Sequence, residues 1–230
     1  MFSDFDFNVI YRSLSYLFLD GMTFTITLTV LATLIGVTWG TALALMRLSG
    51  FPPLVLFAAG YVNLMRSVPL VLMIFWFYFL VPYIGQWITG SANPMRIGAF
   101  ASSLITFALF EAAFFSEIMR AGIQSVSRGQ TAAAQALGMN YPRTMAYVVL
   151  PQAFRNMVPV LLTQTIILFQ DTSLVYVLSI PDFLGAASKV AQRDGRLVEM
   201  YLFAAVVYFL ISFAASTAVR RLNRRIAIIR

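Results

Sequence analysis

Five stretches of apolar residues, each long enough to cross a bilayer, constrain the fold of this chain more than any single motif does. A helix needs about 20 predominantly apolar residues to span the hydrocarbon core, and stretches near 22–46, 53–82, 97–116, 157–180 and 200–219 meet that need. Composition agrees: with 60% hydrophobic and 11% charged residues among 230, there are too few polar groups to cover a soluble surface. The expected fold is all-α, a polytopic membrane protein with about five transmembrane helices. The second stretch is longer than one crossing requires and contains Pro69, which predicts a broken or tilted helix. Along the first, Ala32, Gly36, Gly40 and Ala44 recur every four residues. Such a stripe lets helix backbones approach closely in lipid, and it is read as packing, not as a ligand site.

What the chain lacks excludes several chemistries. Without cysteine there are no disulfides and no thiolate metal sites. Without histidine there is no Ser-His nucleophile, no HExxH zinc site and no imidazole ligand, so no metal site is expected. The sole lysine, Lys189, stands between Ser188 and Val190, not in a Gly-rich turn ending in Gly-Lys-Ser/Thr. The chain therefore cannot hold a P-loop of its own. The net charge of +7 comes from basic residues that stand alone or beside the spans, without the interleaved aromatics of a nucleic-acid surface. No nucleic-acid partner is expected.

Those basic residues orient the chain. Ten arginines (47, 120, 128, 143, 155, 220, 221, 224, 225 and 230) fall on one side of a five-span arrangement, with no acidic residue in the loops or tail there. The other side carries Arg12, Arg96, Lys189, Arg193 and Arg196 beside Asp4, Asp6, Asp20, Asp182, Asp194 and Glu199. The positive-inside rule puts the first set in the cytoplasm and the N-terminus outside. The expected organisation is an outer N-terminal segment at 1–19, one transmembrane domain at 20–220 with a cytoplasmic loop near 120–151, and a basic tail at 221–230. The cleavage-like Ala42-Leu43-Ala44 follows an acidic start and too long a span, so no signal peptide is expected.

Between the third and fourth spans lies GQTAAAQALGMNYPRTMAYVVLP, residues 129–151. Ala132 to Leu137 favours helix, Gly138 is suited to stop it, and Pro142 to start another. Gly129-Gln130, Ala133-Ala134, Leu137-Gly138 and Leu150-Pro151, with Gly138 ten positions before Val148, together resemble the cytoplasmic coupling loop of permease subunits in ATP-driven importers. That resemblance implies that the loop receives motion from a separate ATPase, because short helices with small residues suit a partner's groove. The family's Glu falls on Ala132, so any salt bridge it would make is missing. The literal Glu111-Ala112-Ala113 does not serve, since Glu117 and not Gly stands six positions after Glu111.

The likeness extends over about 20–220. YVNLMRSVPLVLMIFWFY from Tyr61, FEAAFFSEIMRAGIQSVSRGQ from Phe110, LPQAFRNMVPVLLTQ from Leu150 and LFQDTSLVYVLS from Leu168 resemble the polar amino-acid permeases of type I importers, the glutamate/aspartate branch above all. Many relatives have Lys where this chain has Gln170. The resemblance implies a multi-pass subunit of the bacterial inner membrane, not itself an enzyme. It implies as partners a dimer of ATP-binding subunits, a second permease, identical or similar, a periplasmic substrate-binding protein and an amino-acid substrate. It implies no cofactor on this chain, with ATP and Mg on the ATPase.

Buried polar groups are costly in lipid and need a partner or a purpose. Glu111 and Glu117 are assigned near the cytoplasmic end of the third span, with Glu117 three residues before Arg120 on one face; an ion pair there is preferred to a transport role. Gln164 and Asp171, two helical turns apart, share a face that either lines a pathway with Thr172 and Ser173 or bonds a neighbouring helix. Asn63 and Arg66 form another polar patch before Pro69. Arg66 either snorkels to lipid phosphate or offers its planar fork to a carboxylate. The competing function is an ion-coupled secondary transporter or channel in which Glu111, Glu117 and Asp171 relay protons. A purely structural membrane subunit is disfavoured by these polar patches.

Overall fold

The computed structural model describes residues 5–226. Asp4, Arg230 and the outer ends of the expected 1–19 and 221–230 segments lie outside the described residues. Helix α1, Phe7–Ser15, starts where the Asp6 side chain accepts from the Asn8 backbone N–H. It runs through a π turn, Tyr16–Met22, into α2, Thr23–Leu48. The first candidate span is thus a continuous 42-residue helix from Phe7 to Leu48, not one that begins near residue 22.

The stretch expected at 53–82 is two separate pieces. Helix α3, Pro52–Ser67, stops because the residue before a proline is pushed out of the helical region. Val68 and Pro69 are accordingly extended, at ψ 134° and 137°. The chain then resumes as α4, Leu70–Phe75, a π turn at Trp76–Leu80, and α5, Val81–Thr89. Only the 20-residue run Leu70–Thr89 is long and apolar enough to count as a span. Pro82 does not end it, since it sits in the first turn of α5, where its missing N–H is tolerated.

Helix α6, Ala99–Gln124, is followed by α7, Arg128–Ala136, and α8, Tyr141–Thr144. A π turn, Met145–Val149, leads into α9, Leu150–Asp171, and a 3-10 turn, Thr172–Leu178. The last helices are α10, Phe183–Asp194, and α11, Leu197–Ile226. Five candidate spans result, and among the described residues there is no strand.

Helix α6 is the axis of the bundle and its most buried span. It meets α2 along the small-residue stripe. A Cβ on Gly40 would lie 2.8 Å from the Ala112 carbonyl and 2.9 Å from Phe115 Cβ, so backbone and backbone nearly touch. Ala32, Gly36 and Ala44 are buried in the same face. A second apolar cluster docks α10 against α1, its π turn and α11 through Val9, Leu17, Phe183, Ala187 and Met200. Many large side chains on the other faces stay exposed, among them Leu34, Leu56, Trp87, Phe209 and Phe213. Lipid or a partner must cover that much apolar surface.

Candidate functional site

The hairpin after α6 is built by its own sequence. Helix α7 carries Gly129, Gln130, Ala133 and Ala134 and ends at Ala136. Gly138 follows at φ 80°, which a residue with a Cβ rarely adopts. Gly138 N–H donates to the Gln135 carbonyl at 2.9 Å, and Met139 N–H to that of Ala134 at 3.1 Å. This pair of bonds is a Schellman cap, which satisfies carbonyls that a helix end otherwise leaves open. Asn140 then caps α8, accepting from the Arg143 backbone N–H at 3.1 Å. Leu137, Tyr141 and Tyr147 stand exposed around the turn. Leu150 and Pro151, at the end of the expected 120–151 loop, are helical. They form the first turn of α9 inside the continuous run Tyr141–Leu178, and the segment outside the candidate spans is 125–140.

At the same end of α6, Glu117 binds two arginines. Arg120 donates through Nη2 to Glu117 Oε2 at 2.6 Å, and Arg47 of α2 is the second partner, on Oε1. The pair with Arg120 was expected. Arg47, seventy residues away in sequence, was not. Arg120 also donates to Gln124 Oε1 at 2.6 Å. Beside this cluster is a cavity of about 420 Å³, lined by Arg66, Glu117, Ser125, Asn156 and Met157. The Arg66 guanidinium lies 5.4 Å from the centre of the Phe114 ring, a cation–π contact. Asn63 and Arg66 are both exposed, and Asn63 accepts at its carbonyl from Ser67 Oγ.

Glu111 sits deeper than the sequence suggested. It is fully buried at the middle of α6, not near its end. Gln164 of α9 donates through Nε2 to Glu111 Oε2 at 2.9 Å, while Oε1 is buried with no partner. Gln164 is tied to α6 through Glu111, and Asp171 is the last residue of α9. Thr172 is buried and donates to the Phe169 carbonyl at 2.7 Å, and Ser173 is half-buried. None of Asn63, Gln164, Asp171, Thr172 and Ser173 lines the cavity that Arg66 lines.

Asp182 was counted only as a charge, yet it organises the segment between α9 and α11. Its two carboxylate oxygens accept from Leu184 and Gly185 N–H at 3.0 and 2.9 Å, capping α10. Tyr208 donates to it from α11 at 3.4 Å. Burial pushes its carboxyl up to about 7, although the N–H donors favour the charged form. An Asp directly before an apolar helix is a readable cap signal.

The likeness to known proteins covers nearly the whole chain. Residues 32–228 match the family described as binding-protein-dependent transport system inner membrane component. The glutamate/aspartate import permease protein GltK of Escherichia coli O6:H1 is 54% identical over 226 residues, 97% of this chain and 99% of that protein. The probable glutamine ABC transporter permease protein GlnP of Bacillus subtilis is 32% identical over 90% of this chain and 92% of its own. A crystal structure of an amino acid ABC transporter with histidines superposes with a TM-score of 0.85 at 33% identity, over 96% of this chain and 98% of that one. The methionine ABC transporter MetNI shares the fold at a TM-score of 0.71 and 18% identity, over 93% and 97%. With spans, hairpin and these likenesses in agreement, the chain belongs to the inner-membrane permease components of binding-protein-dependent transport systems.

Proposed function

We propose that this permease subunit passes glutamate or aspartate across the inner membrane under the control of a separate ATPase. The observation that carries this reading is the 54% identity to a glutamate/aspartate import permease over 97% of the chain. The chain has no P-loop, so ATP and Mg belong to a partner dimer of ATP-binding subunits. A second permease, identical or similar, and a periplasmic binding protein complete the assembly.

In this reading the capped hairpin at 125–140 takes the motion of the ATPase. Its rigid Schellman turn and the exposed Leu137, Tyr141 and Tyr147 suit the groove of a partner better than they suit water. Gly129, Gln130, Ala133, Ala134, Gly138, Leu150 and Pro151 shape this coupling element. The hairpin and the arginine-rich C-terminal end of α11 lie in the cytoplasm, and the N-terminus lies outside. Asn63, Arg66, Gln164, Asp171, Thr172 and Ser173 are the substrate-pathway candidates, with Arg66 offering a bidentate partner to a carboxylate. The ion-coupled transporter reading is not favoured: the family is binding-protein-dependent, and Glu117, one of its three relay residues, is held by two arginines.

Reconstitution tests this function. Proteoliposomes holding the permease pair and ATPase, with ATP inside and binding protein outside, should take up glutamate and aspartate but little glutamine or arginine. Uptake that needs a proton gradient and no ATPase would overturn the reading. A single cysteine at the exposed Ser91 should react with an impermeant thiol reagent outside intact cells, and one at Ser127 only after the membrane is opened. The reverse pattern would invert the orientation.

A further inference from the structure

A cleft of about 300 Å³ opens between the 3-10 turn Thr172–Leu178 and α10, at the lower end of the range for small-molecule pockets and so of a size for an amino acid. Polar side chains line it: Ser179, Ser188, Lys189 and Gln192, with Tyr176 at its edge. Lys189 is exposed and makes no hydrogen bond or ion pair among the described residues. Its charged neighbours from Asp182 to Glu199 are engaged elsewhere. Asp182 caps α10, Arg193 and Arg12 both bind Asp194 at 2.9 Å, and Arg196 binds Glu199 at 3.1 Å. Among the described residues no carboxylate forms an ion pair with Lys189.

The hydroxyl of Ser188 is buried at the wall of this cleft and accepts from Gln192 Nε2 and from Tyr201 Oη, each at 3.0 Å. With both lone pairs used, its own proton is what remains to be donated. Ser179 turns the chain from the 3-10 turn towards α10 at φ 58°, the one non-glycine residue in the left-handed region among the described residues. An ammonium, a spare hydroxyl proton and an amide therefore converge where the chain has just left Asp171, Thr172 and Ser173. A point charge with hydrogen-bond donors around it, in a partly enclosed cleft, offsets the desolvation of a carboxylate in a way that neutral groups alone do not.

We propose that this cleft is a carboxylate subsite for the transported amino acid, with Lys189 supplying the charge and Ser179, Ser188 and Gln192 the hydrogen bonds. It rests on the importer reading and adds to it a waiting position at one mouth of the pathway. A substrate with two carboxylates is held better than one with a single carboxylate, which makes the subsite a first filter for acidic amino acids.

Because Lys189 is the chain's sole lysine, its occupancy is directly measurable. The complete transporter in nanodiscs is treated with an amine-reactive ester and the Lys189 peptide is quantified by mass spectrometry. At about ten times a millimolar Kd, occupancy of about 90% should slow its labelling roughly tenfold with L-glutamate. L-glutamine should protect less, and L-glutamine amide, which has no carboxylate, should not protect at matched ionic strength. Equal labelling with all three would overturn the subsite, and so would protection by binding protein without amino acid, which would make Lys189 a docking contact. Lys189→Gln should raise the KM for glutamate uptake several-fold while Lys189→Arg stays near native. Absence of ATP-driven uptake in the unaltered transporter would instead defeat the importer reading, whereas native uptake without protection would defeat the subsite alone.

Discussion

Gln164 reaches from α9 to α6 and donates to Glu111 at 2.9 Å, among the described residues the one hydrogen bond to a carboxylate whose other oxygen is buried and unpartnered. Removing that donor while leaving the acid is the costly change, because a buried polar group without its partner loses about 1–3 kcal/mol. Gln164→Leu should lower the Tm of the purified complex by several degrees. Glu111→Gln should sit close to native, since an amide oxygen still accepts from Gln164. A native Tm for Gln164→Leu would mean that this bond contributes nothing to stability.

The α2–α6 contact makes a graded prediction. A methyl group on Gly40 would press on the Ala112 carbonyl, the Phe115 Cβ and the Ser116 N at 2.8–3.0 Å, all atoms that cannot swing away. On Gly36 it would meet the Phe115 ring edge at 3.2 Å and the Ala108 carbonyl at 3.4 Å, and on Gly60 nothing within 4 Å. Overpacking costs about 1–3 kcal/mol, and an open helical glycine gains up to about 1 kcal/mol on becoming alanine. Thermal melts should therefore rank Gly40→Ala below Gly36→Ala, with Gly60→Ala at or above the native value.

Span number was legible because apolar length is a strong signal, and the Gly138 turn was legible because left-handed backbone restricts residue type. Depth was not. Ending the third span at Ser116 put Glu111 near its edge. The helix instead continues to Gln124, where Glu117 pairs with both Arg120 and Arg47, and paired charges need not end a helix. Arg47 comes from a different helix, so no local pattern could announce it. The break at Pro69, by contrast, was legible, because a proline pushes the residue before it out of the helical region, and Val68 and Pro69 are extended.

The segment before α10 sets a pH dependence. Asp182 is buried and its carboxyl is raised from 3.8 to about 7, first by desolvation. A folded pKa above the unfolded one means that the native state binds more protons between those values. Its contribution is full below about 4 and is lost as pH rises through about 7. Asp182→Asn keeps an N-cap acceptor of equal quality and cannot titrate. The native complex should lose Tm between pH 5 and pH 8, and Asp182→Asn should show a flatter profile. Parallel profiles would assign the dependence to another group.

Gly138 separates coupling from folding. Its φ of 80° strains most residues with a Cβ by about 1–2 kcal/mol. Nothing lies within 4 Å of where that Cβ would be, so no clash is added. The site is in the hairpin at 125–140, away from the apolar contacts between spans, and a distorted turn should leave insertion and assembly unchanged. Asparagine tolerates the left-handed region, whereas valine and glutamate do not. With the hairpin seated in an ATPase groove, Gly138→Asn should keep most ATP-driven uptake. Gly138→Val and Gly138→Glu should lose it about tenfold or more, with normal expression and a Tm of the membrane subunit lowered by no more than a few degrees. Glutamate falling far below valine would add obstruction of the groove to strain, and equality of the two would leave turn geometry as the cause. Native uptake in both would remove the hairpin from coupling.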